Sequence, residues 1–221
     1  MDDFLEAIRP FSVTRTFKKR SILLYQGEVP RAAFVLLSGV IKLYTLNNAG
    51  EEQVAAFYVR GDIFPAPWIF DKSSSTLYYY EALTDCEVLT LPKDELRKVV
   101  SSSTQFTDLM LDYFATNYTG LMMRVTALEQ SRASEKIMFT LYYLLFRYGK
   151  EVKPGVYSVE VQLTQSIIAS LVGLTRETTA TELGKLRRAK VLNYSAQTYT
   201  VNKAALEHAL GEDNFADLNI R

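Results

Sequence analysis

The sequence predicts an α+β chain with a strand-rich first half, one long helix and a C-terminal helix-turn-helix followed by a small β-hairpin. Three observations carry this reading. Glycines stand at Gly27, Gly39, Gly50 and Gly61, spaced 12, 11 and 11 residues apart, each beside a short apolar stretch. Met110, Phe114, Tyr118, Leu121, Val125 and Leu128 then recur at steps of three or four through a proline-free segment. Between Leu163 and Leu192 a threonine opens each of two short helical patterns, with Gly173 between them.

The strands come first. Ile22–Tyr25, Phe34–Leu37, Val40–Tyr44, Val54–Val59, Leu77–Ala82 and Glu87–Leu91 are short apolar runs bounded by turn residues. Such spacing suggests a sandwich or a barrel. Asn47-Asn48-Ala49-Gly50 reads as a hairpin loop, because Asn and Gly tolerate positive φ. Ser73–Ser75 reads as a loop, and Pro92 ends the sheet because it cannot donate to a ladder.

The middle is helical, from Thr104 to about residue 130 and again from Ala133 to about Tyr148. In the long helix one apolar face carries Met110, Phe114, Tyr118, Leu121, Val125 and Leu128, and a second strip carries Leu111, Ala115 and Met122. One strip suffices to pack on the strand-rich half; the other needs a further partner, and a copy of the same helix is the simplest. Phe114, Tyr118, Leu121 and Val125 are the candidate dimer contacts, and Gly120 a candidate point of close backbone approach. Ile137, Leu141, Leu144 and Leu145 face inward on the following helix, with Gly149 as its C-cap.

Thr164 is a good N-cap, with Leu163 and Ile168 placed to form a hydrophobic staple across it. Ala169 and Gly173 leave room for a second helix, which Thr175 caps. Thr179, Leu183 and Leu186 form the inward face of that helix; Arg176, Glu177, Ala180, Thr181, Lys185 and Arg188 form its outward face. Short helix, glycine turn and second helix is the spacing of a helix-turn-helix. Val191–Tyr194 and Thr198–Val201 follow as a wing. From Thr164 to Lys190 there are five basic and two acidic residues, a local net charge of +3. The basic residues gather at the second helix and its end, where phosphates would lie if its N-terminus entered a major groove.

Composition narrows the function classes. The chain has 221 residues, and its 25 Lys and Arg balance 25 Asp and Glu, so an argument for nucleic-acid binding has to rest on that local charge. One Cys and one His exclude a Cys-rich zinc site, a four-Cys iron–sulfur cluster and a multi-His metal site; no cofactor is expected. Cys86 reads as a buried small hydrophobe and His208 as a surface residue of the last helix. An enzyme using a barrel cavity would have to recruit His208, which stands outside any serine motif, and no glycine-rich phosphate loop is present. The acidic N-terminus lacks a signal-peptide pattern and no apolar run is long enough to span a membrane, so a cytoplasmic protein with no membrane partner is expected.

Leu37-Ser38-Gly39-Val40-Ile41-Lys42, Arg60-Gly61-Asp62-Ile63-Phe64, Asp85-Cys86-Glu87-Val88 and Gly173-Leu174-Thr175-Arg176-Glu177-Thr178 together resemble the Crp/Fnr family of bacterial transcription regulators, over nearly the whole chain. The resemblance implies a jelly-roll-like antiparallel β-barrel of the cyclic-nucleotide-binding type at 1–103, a dimerisation helix at 104–131 and a winged helix-turn-helix at 132–221. It implies a homodimer on palindromic double-stranded DNA, and RNA polymerase as a further partner if the protein is an activator. Arg176 and Glu177 match family positions that touch DNA. Arg can donate to guanine O6 and N7, and Glu can accept from cytosine N4. Many members carry a second Arg where this chain has Thr181, with Ser or Gly where it has Ala180. A half-site richer in A·T is expected.

The ligand cassette departs from the family. Nucleotide-binding members follow Gly-Asp with Gly-Glu, and later place Arg beside a small hydroxyl residue; here Pro65-Ala66 and Thr76-Leu77 stand there. A buried phosphate without a paired cation is costly, so cyclic AMP bound in the family manner is not expected. Phe64, Trp68, Tyr78 and Tyr80 are the candidate lining for a small apolar or aromatic effector. The alternative is that these rings fill the barrel and the regulator works without a ligand.

Overall fold

Gly27, Gly39, Gly50 and Gly61 all adopt positive φ, so the regular glycine spacing marks left-handed turns between strands. In the computed structural model, which describes residues 1–211, the chain divides into two units, Met1–Tyr113 and a second beginning at Phe114. The first contains α1 (Asp2–Ile8), β1 (Val13–Phe17), β2 (Ile22–Leu24), β3 (Ala33–Ser38), β4 (Ile41–Leu46), β5 (Glu52–Tyr58), β6 (Ile63–Phe64), α2 (Ala66–Ile69), β7 (Tyr79–Ala82), β8 (Cys86–Leu91) and α3 (Lys93–Ser101). Helix α4 (Thr104–Glu129) runs from the first unit into the second.

The strands form two four-stranded antiparallel sheets, ordered β1-β8-β3-β6 and β2-β7-β4-β5. The arrangement is the expected jelly roll; its two sheets do not close into one continuous barrel. Period-two alternation divides its core. Ala33, Val35 and Leu37 of β3 and Leu89 and Leu91 of β8 join a cluster with Phe4, Leu5 and Ile8 of α1, Leu96 and Val99 of α3 and Met110 of α4. Phe34 and Leu36, with Cys86 and Val88, join the cluster that also holds Ile41, Leu43, Phe64, Tyr80 and Ala82. Cys86 is thus a core residue, and burial pushes its thiol pKa up.

Three elements of this unit carry no strong sequence signal. Strand β1 is nearly all exposed, so no apolar run marks it; it exists by pairing with β8 along Val13↔Thr90 to Phe17↔Cys86. Helices α1 and α3 are short and fold because each has an apolar edge to bury. The Asn47–Gly50 loop is a hairpin turn, with Asn47 Oδ1 accepting from the amides of Ala49 and Glu51, both at 2.9 Å. Lys42, in β4, is buried between Glu52 at 2.5 Å and Glu81 at 3.2 Å, which neutralise it across three adjacent strands.

The second unit adds α5 (Ala133–Tyr148), β9 (Gly149–Lys153), β10 (Val156–Val159), α6 (Gln165–Val172), α7 (Arg176–Arg188), β11 (Leu192–Ser195), β12 (Thr198–Asn202) and α8 (Lys203–Leu210). Strands β9 and β10 extend the expected wing into a four-stranded sheet ordered β11-β12-β10-β9. Gly149 ends α5 as expected, but in an extended conformation rather than a left-handed cap. A Cβ there would lie 2.3 Å from the Leu145 carbonyl oxygen, so close packing is what requires glycine.

Gly39 is the most constrained turn. Its φ is +91°, and a Cβ would lie 2.4 Å from the Asp85 carbonyl oxygen and 2.7 Å from the Cys86 sulfur. Gly39→Ala should therefore cost on the order of 3 kcal/mol from combined strain and overlap, read as a lower urea midpoint with an unchanged m-value.

Candidate nucleic-acid interface

Helix α6 begins where Thr164 Oγ1 accepts the Ile167 amide at 3.1 Å. Leu163 and Ile168 are both buried, as a staple requires. The helix ends at Gly173, in the left-handed region at φ 68°. The Gly173 and Leu174 amides both donate to the Ala169 carbonyl, which closes the turn. Two residues later Thr175 Oγ1 accepts the Thr178 amide at 3.2 Å and opens α7.

Along α7, Thr179, Leu183 and Leu186 are buried. Thr175, Arg176, Glu177, Thr181, Lys185 and Arg188 are exposed, and Ala180 is half-buried. The predicted outward residues therefore share one free face of a single helix. Its N-terminus, which carries the positive end of the helix dipole, presents Arg176 and Glu177. Lys185 pairs with Glu182 at 2.6 Å, an exposed contact that a phosphate can replace. Among the described residues neither Arg176 nor Arg188 is in an ion pair.

The wing supplies a contact that residue types alone did not suggest. Tyr194 and Tyr199 lie opposite each other in β11 and β12, and their rings stack at 5.3 Å. The Arg187 guanidinium lies 5.0 Å over the Tyr194 ring, so a base at the end of α7 is held against the wing. The signal for this pair is the hairpin register, which the sequence does not state.

The two apolar strips of α4 merge into one exposed surface. Leu111, Phe114, Tyr118, Leu121, Val125 and Leu128 follow steps of three and four, the spacing of a coiled-coil seam. Phe114 is 38% exposed, Tyr118 65%, Leu121 60% and Val125 39%. Ala115 and Met122 of the second strip are exposed as well. The expectation that one large-residue face would pack inward is corrected: the covered positions are instead Met110, Gly120, Met123, Arg124 and Ala127. Gly120 approaches side chains of its own chain, since a Cβ would lie 2.8 Å from Arg147 Cδ. Thick side chains are excluded where α5 packs against α4 and collect on the open side.

The four candidate effector residues do not line one cavity. Phe64 and Tyr80 are buried and stack at 5.4 Å, with Phe34 5.1 Å on the other side of Phe64 and Tyr58 within 6.0 Å of both. Burial raises the Tyr80 phenol pKa. Tyr78 packs against the same cluster. Trp68 packs against the other cluster, on the α1 and α3 side of the roll, under the Lys93 ammonium at 4.9 Å. It follows a separate backbone path through α2, which period-two reasoning could not place. Thr76, at the position of the family's phosphate-neutralising pair, is buried and donates from Oγ1 to the Tyr25 and Glu28 carbonyls.

Residues 14–103 match the cyclic nucleotide-binding domain family, and residues 135–209 match the Crp-like helix-turn-helix domain family. A global nitrogen regulator of a Nostoc species is 24% identical over 192 residues, 86% of each chain. The regulatory protein HlyX of Actinobacillus pleuropneumoniae is 24% identical over 92% of this chain and 81% of its own. The solved structure of FixK2 from Bradyrhizobium japonicum superposes with a TM-score of 0.72 at 20% identity, over 90% of this chain and 96% of that one. No helix among the described residues is long and apolar enough to cross a membrane.

The cap that opens α7 can be tested alone. Thr175→Ala removes the acceptor of the Thr178 amide and should lower stability by about 1 kcal/mol in chemical denaturation, while Thr175→Ser should restore it.

Proposed function

The chain belongs to the Crp/Fnr family of DNA-binding transcription regulators, and we propose that it acts as a homodimer that reads a palindromic operator through α7. The labour divides as a sensor-type roll at 1–103, a dimerisation helix at 104–131 and a DNA-binding domain at 132–221. The observation that carries the reading is the free outward face of α7, with Arg176 and Glu177 at its positive end and Lys185 and Arg188 toward its basic end. Arg176 and Glu177 read base edges, Thr181 and Ala180 meet thymine methyls, and Lys185 and Arg188 hold phosphates. Two such helices enter successive major grooves about one turn apart. Any contact with RNA polymerase follows only if the protein activates.

The dimer is supported by the exposed seam of α4, whose large apolar residues a second copy would remove from water. A second reading concerns control. The stack of Phe34, Phe64, Tyr58 and Tyr80 fills the interior of the roll with its own rings, and Thr76 already spends its hydroxyl within the chain. These observations favour a regulator that binds DNA without a ligand over one gated by an apolar effector at Phe64, Trp68, Tyr78 and Tyr80. DNA binding by purified protein with no additive is the expected result; calorimetry showing tight cyclic AMP binding would reverse it.

Leu121→Glu places a charge in the seam and should shift the sedimenting species from twice 25.1 kDa to 25.1 kDa, with loss of palindrome binding. Arg176→Ala should remove about 1–3 kcal/mol of discrimination at one base pair while leaving nonspecific binding nearly intact. Arg188→Ala should instead weaken all duplexes alike and reduce the slope of log K against log salt by about 1. A uniform loss from Arg176→Ala would remove its base-reading role.

A further inference from the structure

Arg124 is an unusual side chain for its position. It lies in the C-terminal part of α4, among the covered positions beside the exposed seam, and is 7% exposed. Its Nη1 donates to the carbonyl of Leu171, in the last turn of α6. A helix leaves its last four carbonyls without intrahelical partners. In α6 the Ala169 carbonyl is taken by the amides of the glycine turn, and the Leu171 carbonyl is taken by Arg124. The bond is charge-assisted and lies at the negative end of the α6 dipole, where a cation is stabilised.

The surroundings hold Arg124 in place. Its guanidinium lies 5.7 Å from the ring centre of Tyr143 in α5. The Tyr143 hydroxyl is 3.2 Å from that of Tyr148, over whose ring Arg147 lies at 5.6 Å. Arg147 in turn packs against Gly120, one turn before Arg124. Burial lowers the Arg124 pKa, with Tyr143 and Tyr148 acting the other way. Desolvating a guanidinium is expensive, and a chain that needed only packing here could use an apolar residue of similar length.

We infer that Arg124 is a positioning residue for DNA recognition: by capping the end of α6 from α4, it fixes the recognition helix α7 relative to the dimer seam. The link is short at both ends. Leu121 and Val125 of the seam lie within one turn of Arg124 in α4, and α6 leads to α7 through only Gly173, Leu174 and Thr175. The inference rests on the DNA-binding reading for its consequence, though not for the latch itself.

The test uses Arg124→Met in the full chain. Methionine keeps the length of the apolar stem and a good helix propensity, and removes the cation and the donor. Spin labels on cysteines introduced at Glu129 and Thr181, in a Cys86→Ala background and diluted with unlabelled chain, report the distance between α4 and α7 within one chain without DNA. A narrow distribution is expected with Arg124 and a broad one with Arg124→Met, at unchanged dimer mass. Arg124→Lys keeps the charge but not the planar fork and should lie between; it serves alone if the methionine variant does not fold. A distribution as narrow as that with Arg124 overturns the latch.

In the DNA arm, the unlabelled Arg124→Met dimer should bind an isolated half-site as the parent does. It should bind the palindrome roughly 5- to 150-fold more weakly, with little preference between half-sites one turn apart and half-sites shifted by about half a turn. Retained spacing preference, or an equal loss on the isolated half-site, overturns the positioning role. Failure of the parent protein to bind any palindrome would defeat the DNA-binding reading instead, and the distance measurement would still decide the latch.

Discussion

Among the described residues nothing covers the large apolar face of helix α4, and the functional reading of the molecule depends on that constraint. Its largest side chains, Leu111, Phe114, Tyr118, Leu121, Val125 and Leu128, stand at coiled-coil spacing on an open face. The side turned toward α5 is narrow: Gly120 is there because Arg147 and Tyr143 already occupy the space a Cβ would need. Gly120, Arg124 and Ala127 therefore go inward beside Met123, while the aromatic and branched residues of the seam stay outward, unlike an ordinary surface helix. A second copy of the same seam is the simplest cover, because it satisfies both surfaces with one set of contacts. The same helix also carries Arg124, so that holding the seam and holding the end of α6 become properties of one rigid element.

The roll keeps the architecture of a ligand-binding domain while its interior chemistry differs. A cyclic phosphate needs a buried cation, and the position that would supply it holds Thr76 and Leu77. Thr76 is turned into the chain's own hydrogen bonds, while Leu77 is half exposed. Aromatic rings fill the interior instead, in offset and tilted stacks that gain both from burial and from ring geometry. Lys42 does carry a buried charge, but two glutamates on neighbouring strands neutralise it, and its role is to tie strands together. Fold and ligand chemistry are separable, and here the sheets keep the fold while aromatic rings occupy their interior.

The helix-turn-helix was the part most readable in the sequence. Its determinants are local: the Thr164 and Thr175 hydroxyls accept the amides of Ile167 and Thr178, Gly173 takes a left-handed turn, and Thr179, Leu183 and Leu186 repeat at helical spacing. The glycine-bounded strands β2 to β5 were readable for the same reason. Strands β1 and β9 were not, because an exposed segment with charged residues becomes a strand only when a partner offers its ladder. The separation of Trp68 from Phe64 and Tyr80 was also hidden, since alternation along a strand says nothing about a chain that leaves the sheet through α2.

By itself, then, the sequence determined the order of modules, the turns, the helix ends and the local charge of +3 hidden within a balance of 25 against 25. Those features depend on residues within a few positions of one another. Only the tertiary structure decided which face of α4 is open, which rings share a core, and that a cation in the long helix meets an unpaired carbonyl 47 residues away. Helical periodicity identifies an apolar stripe but not what covers it. That is set by the volume left between packed elements, and from Phe114 onward in α4 the available space admitted Gly120, Met123, Arg124 and Ala127, and left Phe114, Tyr118, Leu121, Val125 and Leu128 exposed.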